Sequence, residues 1–326
     1  MKILRQLTSH QNLSSYEAKK LLNDIAAGIV TPIQISAILT ALSAKGETPA
    51  EISGFIQAMR QNMLTVSAPK AIDVCGTGGD NSNTFNISTA VAFVVAGCGV
   101  KVAKHGNRAA SSKCGSADVL ETLGVNIQLS PSRAKQVLRT IGMVFLFAPL
   151  YHPAMKQVAL VRKELGIPTI FNLLGPFANP AQVKHQLIGV SNLNSAQKLA
   201  QAAATLNYTR LVIVTSLDGL DEVSLNSKTT ALIVEGTTVT LTVIDPTTYG
   251  FKPGHIMGGN ARTNANIIRQ VLTGKTGPHR NVVVLNSAVA LYAAKIVPNI
   301  KAGIPLAQKS IDSGQAKHVL EHLCKS

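Results

Sequence analysis

AIDVCGTGGDNSNTFNIST, residues 71–89, runs a short apolar strand into two glycine-rich turns and the start of a helix. Ala71 to Cys75 is a largely apolar run of strand length, and Gly76, Gly78 and Gly79 then let the backbone turn tightly and approach a ligand. Residues 90–97, AVAFVVAG, read as a buried helix ending in a glycine, with Ser88 or Thr89 as its cap. Free N–H groups at a helix N-terminus, beside glycine turns that add further donors, make an anion site. The stretch therefore reads as a diphosphate cradle. GTGGD has neither the Gly-Lys-Ser/Thr ending of a P-loop nor the G-x-G-x-x-G spacing of a dinucleotide site. Taken alone, it also leaves open a strand-to-helix turn without function.

Outward from the cradle, strands and helices alternate. Strands are expected at 71–75, 99–103, 125–129, 143–147, 186–190 and 210–215, and helices at 88–97, 116–123, 131–141, 153–165 and 195–206. A hairpin at 231–235 and 238–244 and helices at 261–273, 281–296 and 315–323 follow. Such alternation implies a mostly parallel sheet with helices on both faces, whose ligands sit beyond the carboxyl ends of the strands. GTGGD, the loop after Ala103 and the loop after Thr215 then share one rim. Upstream, Ser14-x-x-Glu17, Thr31-Pro32-x-Gln34 and Thr48-Pro49-x-Glu51 match capping boxes and start three helices. The expected architecture is α/β: an N-terminal helical domain over 1–68 and a larger α/β catalytic domain over 69–152 and 186–326. Residues 153–185, broken by prolines and glycines, are read as an excursion packing on the helical domain.

With 326 residues, 46% of them hydrophobic, the chain supports a well-buried core. Its start turns polar after a few residues, and its longest apolar runs fall short of the roughly 18 to 20 residues that span a bilayer, so a soluble cytoplasmic protein is expected. Cys75, Cys98, Cys114 and Cys324 show neither a C-x-x-C pair nor finger spacing. Reduced thiols follow, and any metal should be held by oxygen. The formal charge of +15 comes mostly from residues 250–326, where 10 Lys and Arg face 2 Asp and Glu. These cations are spread singly, which reads as a solvated basic face and not a nucleic-acid surface.

Two more rim segments carry chemistry. Residues 104–116, KHGNRAASSKCGS, combine cations, hydroxyls and glycines after a strand, with Lys104 as a point charge on phosphate; the plainer reading is a polar loop feeding a helix capped by Ser116. In residues 218–224, DGLDEVS, adjacent Asp221 and Glu222 can hold hydrated magnesium, which takes one or two carboxylates and completes its shell with water and phosphate oxygens. Only 16 acids occur in the chain, so two together at a strand end stand out from a solvated acidic turn. Tyr151, His152 and Arg162 put a ring, an imidazole and a guanidinium near the excursion. His318 and His322, spaced i, i+4 without a third ligand, read as a surface face.

GTGGD at 76–80, NIST at 86–89, KHGNRAASSKCGSADVLE at 104–121, LFAPLYHPAM at 146–155, VRKELGIPTIFNLLGPFANP at 161–180 and GLDEVS at 219–224 together resemble the anthranilate phosphoribosyltransferase family, in order and over essentially the whole chain. The match departs at Pro168, where many relatives have arginine. The resemblance implies a nucleoside phosphorylase/phosphoribosyltransferase-like fold and a homodimer formed through the helical domains. It implies transfer of phosphoribose from 5-phosphoribosyl-1-pyrophosphate (PRPP) to the amine of anthranilate, with release of pyrophosphate, in tryptophan synthesis. It assigns Gly76, Gly79, Asp80, Thr84, Asn86, Ser88, Thr89, Lys104 and Ser116 to PRPP, with the backbone from Ser111 to Gly115 closing round it. Gly76, His105, Asn107, His152, Arg162 and Gly175 fall to anthranilate, Arg162 contacting its carboxylate. Ser88 and Glu222 match ligands of one Mg2+, and Asp221 and Glu222 those of a second; no general base is assigned. KHGN and the acidic pair favour the transferase over a pyrimidine nucleoside phosphorylase of similar architecture. The intact diphosphate and metal motifs count against a nucleic-acid-binding relative.

Overall fold

The computed structural model describes residues 2–80, 82–109 and 113–326. Four helices open the chain: α1 (Lys2–Thr8), α2 (Ser15–Ala26), α3 (Pro32–Lys45) and α4 (Pro49–Gln61). The three capping boxes form reciprocally, each hydroxyl accepting from the amide three residues on while the Glu or Gln there accepts from the cap backbone. α1 carries no such signal and adds to the three helices expected.

The chain then runs β1 (Ile72–Gly76), α5 (Ile87–Gly97), β2 (Val102–Gly106), α6 (Ser116–Leu123), α7 (Pro131–Ile141) and β3 (Met143–Phe147). Short α8 (Ala148–Tyr151), α9 (Lys156–Leu165) and α10 (Phe171–Leu174) lead to β4 (His185–Gly189), α11 (Leu193–Ala203) and β5 (Arg210–Ser216). The hairpin of β6 (Thr229–Glu235) and β7 (Thr238–Ile244) follows, then α12 (Ala261–Leu272), α13 (Pro278–Ala293), α14 (Ile300–Asp312) and α15 (Gln315–Leu323). The sheet order is β3-β2-β1-β4-β5-β6-β7. Strands β1 to β5 pair in parallel, and β6 and β7 antiparallel. Chain order moves from β1 outward to β3, then returns to seat β4 on the other side of β1, in register from Ile72 opposite His185 to Gly76 opposite Gly189. That reversal opens a crevice at the carboxyl ends of β1 and β4, where ligands of open α/β sheets bind.

Period-two alternation gives each strand one residue for each face. Val212 and Val214 of β5 face a core built with α5, α12 and α13, while Leu211 and Ile213 face a second core shared with α2, α3 and α4. Val158, Val161, Ile170, Phe171 and Phe177, all from residues 153–185, belong to that second core. Phe55 of α4 meets Phe171 edge to face at 6.1 Å, and the Ser43 hydroxyl donates to the Pro168 carbonyl.

Several expectations are corrected. Residues 125–129 are not a strand: Val125, Ile127 and Leu129 alternate and are buried, but outside any strand, filling the first core. β2 begins three residues later than expected and runs through Lys104 and His105, because both are buried at the strand's end. The N-cap of α5 is Asn86 and that of α6 is Gly115, so Ser88, Thr89 and Ser116 are not caps. α14 was not expected, since Gly303 and Pro305 interrupt its pattern; Gly303 brings it against α13, where a Cβ would sit 2.9 Å from the Ala288 Cα.

Glu51 ties the helical unit together. Fully buried, it pairs with Lys45 at 3.0 Å and accepts from the amides of Leu13 (2.9 Å) and Thr48 (2.8 Å). Removing one member of a buried pair strands the other, so Glu51→Ala should lower the unfolding free energy by about 3–5 kcal/mol. Urea denaturation checks this, with Glu17→Ala, at an exposed capping box, expected to lose far less. Equal losses would mean that the buried pair adds nothing beyond a cap.

Candidate active site

Beyond the carboxyl ends of β1 and β2 lies a cavity of about 610 Å3. Gly76, Gly79, Asp80, Thr84, Asn86 and Ser88 line it on the cradle side, with Lys104, Ser116, Asp221 and Glu222. His105, Asn107, His152, Arg162 and Gly175 line its other end. Of the described residues that the resemblance assigns to a substrate or metal, Thr89 alone lies off this lining: it is fully buried in α5, and its hydroxyl has no hydrogen-bond partner among the described residues. Ser111 and Ser112 lie outside the described residues; Cys114 and Gly115 line the cavity.

The cradle turns through Gly78 and Gly79, at φ 69° and 79°, in the left-handed region that glycine enters without strain. Gly76 and Gly189, at the ends of β1 and β4, are required for a different reason. A Cβ on Gly76 would overlap the Asp221 carboxylate, and one on Gly189 the Asp221 carbonyl. The two glycines thus let the 218–224 loop settle onto the sheet edge. There Asp221 Oδ2 accepts from the Gly78 amide at 2.9 Å, and Glu222 Oε1 from the Ser88 amide at 3.1 Å.

This edge concentrates charge with little water. Burial, with the Asp80 carboxylate nearby, raises the Asp221 pKa from 3.8 to about 7. Burial and then the Asp221 charge push Glu222 well above the carboxylate range, against the pull of Lys104. Lys104 is itself buried, its ammonium donating to the Val74 carbonyl and, at 3.3 Å, to the Ser88 hydroxyl. It is thus an internal cation beneath the cradle rather than a charge on a surface loop. The described residues hold no group of three or more His, Cys, Asp or Glu able to bind a metal by themselves. Asp221, Glu222 and the Ser88 hydroxyl make a partial oxygen set instead, of the kind magnesium completes with water and phosphate oxygens. Carboxylates this short of positive charge fit such a cation.

The other end sets two neutral imidazoles beside a guanidinium. His105 Nδ1 lies 3.2 Å from the Gly175 carbonyl and therefore carries the ring proton; Nε2 is buried without a partner among the described residues. Burial, then the neighbouring His152, lowers the His105 pKa to about 3. His152 donates from Nε2 to the Ala178 carbonyl at 2.9 Å, and burial lowers its pKa too. Both imidazoles, 5.4 Å apart, are uncharged at neutral pH. Arg162 stacks over Phe171 and makes one long bond, 3.3 Å, to Asn172 Oδ1. Among the described residues no carboxylate pairs with it. A half-buried guanidinium without a counterion is a receptor for a carboxylate.

Sequence reading missed four contributors. Asp73 and Asn179 are buried beneath the His105 end, where Asp73 Oδ1 accepts the His105 amide at 3.1 Å and Oδ2 accepts Asn179 at 2.8 Å. Gly259 and Asn264 line the cradle end. The acid within an otherwise apolar strand and the Gly258-Gly259 pair ahead of α12 were the available signals.

The family model described as "Glycosyl transferase family, a/b domain" matches residues 68–317, and "Glycosyl transferase family, helical bundle domain" matches residues 1–63. The chain is 48% identical over 324 residues to an anthranilate phosphoribosyltransferase of Desulfitobacterium hafniense, covering 98% of this chain and 96% of that one. The crystal structure of anthranilate phosphoribosyltransferase from Thermus thermophilus superposes with a TM-score of 0.92 at 37% identity, over 100% of this chain and 99% of that one. The Saccharomyces cerevisiae enzyme, in complex with PRPP and Mg, gives 0.89 at 31% identity, over 99% and 96%. The chain belongs to this glycosyl transferase family and, within it, to the anthranilate phosphoribosyltransferases.

Proposed function

We infer that this protein transfers the phosphoribosyl group of PRPP to the amine of anthranilate and releases pyrophosphate, using Mg2+. One observation carries the reading: a single cavity joins an anion cradle beside buried carboxylates to a guanidinium that lacks a carboxylate partner. In the reaction the bond from ribose C1 to the pyrophosphate oxygen breaks, its electron pair leaving with pyrophosphate. The amine lone pair forms the new C1–N bond, and the anilinium so formed then loses one proton to solvent. Positive charge develops on the sugar and negative charge on the leaving group, so stabilising the diphosphate dominates. The glycine-turn amides and buried Lys104 act on that charge; Mg2+, when bound at Asp221, Glu222 and Ser88, supplies Lewis-acid neutralisation of the same oxygens. Arg162 holds the carboxylate of the acceptor, and the neutral His105 and His152 flank its ring, so the amine is presented by orientation.

The reading extends to a division near residue 68 and to a homodimer in the cytoplasm, joined through the helical units. Tyr16, Ile29 and Ile33 remain exposed there, and no helix among the described residues is long and apolar enough to cross a membrane.

A steady-state assay with PRPP, magnesium and anthranilate, followed by the change in fluorescence as anthranilate is consumed, tests the activity directly; no turnover would refute it. Arg162→Ala should raise the KM for anthranilate roughly 10- to 100-fold, as loss of a charge-assisted bond predicts, with kcat little changed; an unmoved KM removes Arg162 from this role. Because burial raises the Asp221 pKa to about 7 and pushes Glu222 well above its ordinary value, the cation must displace protons to bind. Mg2+ affinity, measured by titration calorimetry, should therefore tighten as pH rises from about 5.5 to 8. A flat profile would take the pair out of the metal site.

A further inference from the structure

Asn264 sits in the first turn of α12, 1% exposed, where three segments around the cradle meet. Its Oδ1 accepts the Gly259 amide at 2.7 Å, and its Nδ2 donates to Asn86 Oδ1 at 3.0 Å. Asn86 Nδ2 in turn donates to the Cys114 carbonyl at 3.0 Å. Both ends of this relay are backbone groups of fixed polarity: an N–H can only donate and a C=O only accept. A single orientation of the two side-chain amides satisfies both ends. In that orientation the Asn86 oxygen already accepts from Asn264 and one N–H is engaged, which leaves its second N–H hydrogen to donate to a ligand at the N-terminus of α5.

The turn ahead of α12 is bound to the cradle as well. Gly258 donates to the Asn83 carbonyl at 2.9 Å, Met257 bridges to Thr84, and a Cβ on Gly258 would meet both the Phe85 backbone and Asn264 Oδ1. We propose that Asn264 is a positioning residue for the sugar diphosphate: it fixes the Asn86 amide as a donor and locks the 257–260 turn and the 113–116 segment onto the start of α5. The proposal rests on PRPP occupying the cradle. It excludes aspartate at 264 although the shape is the same, because a carboxylate serves Gly259 but opposes Asn86 Oδ1. Reversing the Asn86 amide to relieve that contact would turn its oxygen on the Cys114 carbonyl.

The test is steady-state kinetics of the full chain at saturating Mg2+, varying each substrate in turn, for Asn264→Asp, Asn264→Ala, Asn86→Ala and the double alanine variant. Asn264→Asp should raise the KM for PRPP about tenfold or more, the loss expected for a frustrated buried hydrogen-bond pair, with the KM for anthranilate within about twofold of wild type. Asn264→Ala should add little once Asn86 is already alanine, since coupled residues are not additive. An unmoved KM for PRPP, equal rises for both substrates, or full multiplication of the two alanine effects would overturn the relay. If the buried aspartate prevents folding, Asn264→Ser is read by the same criteria. An inactive wild type would overturn the function beneath the proposal, whereas an active wild type with an unmoved Asn264→Asp overturns the relay alone.

Discussion

One buried carboxylate organises the sheet beneath the cleft. Asp73, in the second position of β1, is fully enclosed, and burial raises its pKa against the nearby Lys104 charge and the donors around it. Its oxygens accept from the His105 amide, Asn179 and Gln186, so three consecutive neighbours in the sheet and the 175–179 turn are joined through one side chain. Gln186 also donates to the Pro176 carbonyl at 2.7 Å and accepts from Tyr208, which accepts from Arg60 of α4. Arg60 closes the path by donating to the Phe177 carbonyl at 2.9 Å. A satisfied network of this kind gives rigidity as well as stability, since any single deletion leaves several buried groups unpaired. The turn that carries Gly175 and Ala178, and through them the two imidazoles, is therefore held at a fixed height above the cradle strand.

That rigidity matters because the cleft above it is electrostatically incomplete. Asp221 and Glu222 are crowded and shifted upward, and Arg162 has no carboxylate partner among the described residues, although the fold supplies many well-paired charges elsewhere, such as Arg280 with Asp312 at 2.7 Å. Desolvating unpaired charges costs stability, and here the cost falls where a cation, a diphosphate and an aromatic acid would each bring the missing partner. The glycines at 76 and 189 belong to the same economy of space: they seat the acidic loop close enough for Asp221 to reach the Gly78 amide.

Much of this was legible locally. Capping boxes at Ser14, Thr31 and Thr48 involve residues three apart and form as read. The strand, the glycine turns and the acidic pair were each recognisable because their chemistry is carried by neighbours in the chain. What failed depends on distance in sequence. Val125, Ile127 and Leu129 have a strand's alternation, yet the outer edge of β3 stays unpaired among the described residues and the three side chains instead fill the first core. Lys104 and His105 read as the start of a polar loop because their burial is set by Val74, Asp73 and Gly175, up to 70 residues away. Asn264 meets Asn86 across 178 residues, and no local pattern announces such a contact.

The contrast between the two ends of the cavity also bears on why no strong base is built there. An aromatic amine is neutral at physiological pH, so its lone pair is available before any proton is removed. A histidine with a pKa of about 3 is a poor proton acceptor, and His105 is held there by burial and by His152, in the tautomer whose proton points at the Gly175 carbonyl. A charged imidazole at this position would repel Arg162 and Lys104 and would attract water into the ring site. Keeping both histidines neutral leaves at that end a guanidinium to which an acceptor's carboxylate would bring a counterion. Selection at one end and charge stabilisation at the other can then coexist within one cavity, because the imidazoles add no further charge beside the Arg162 guanidinium.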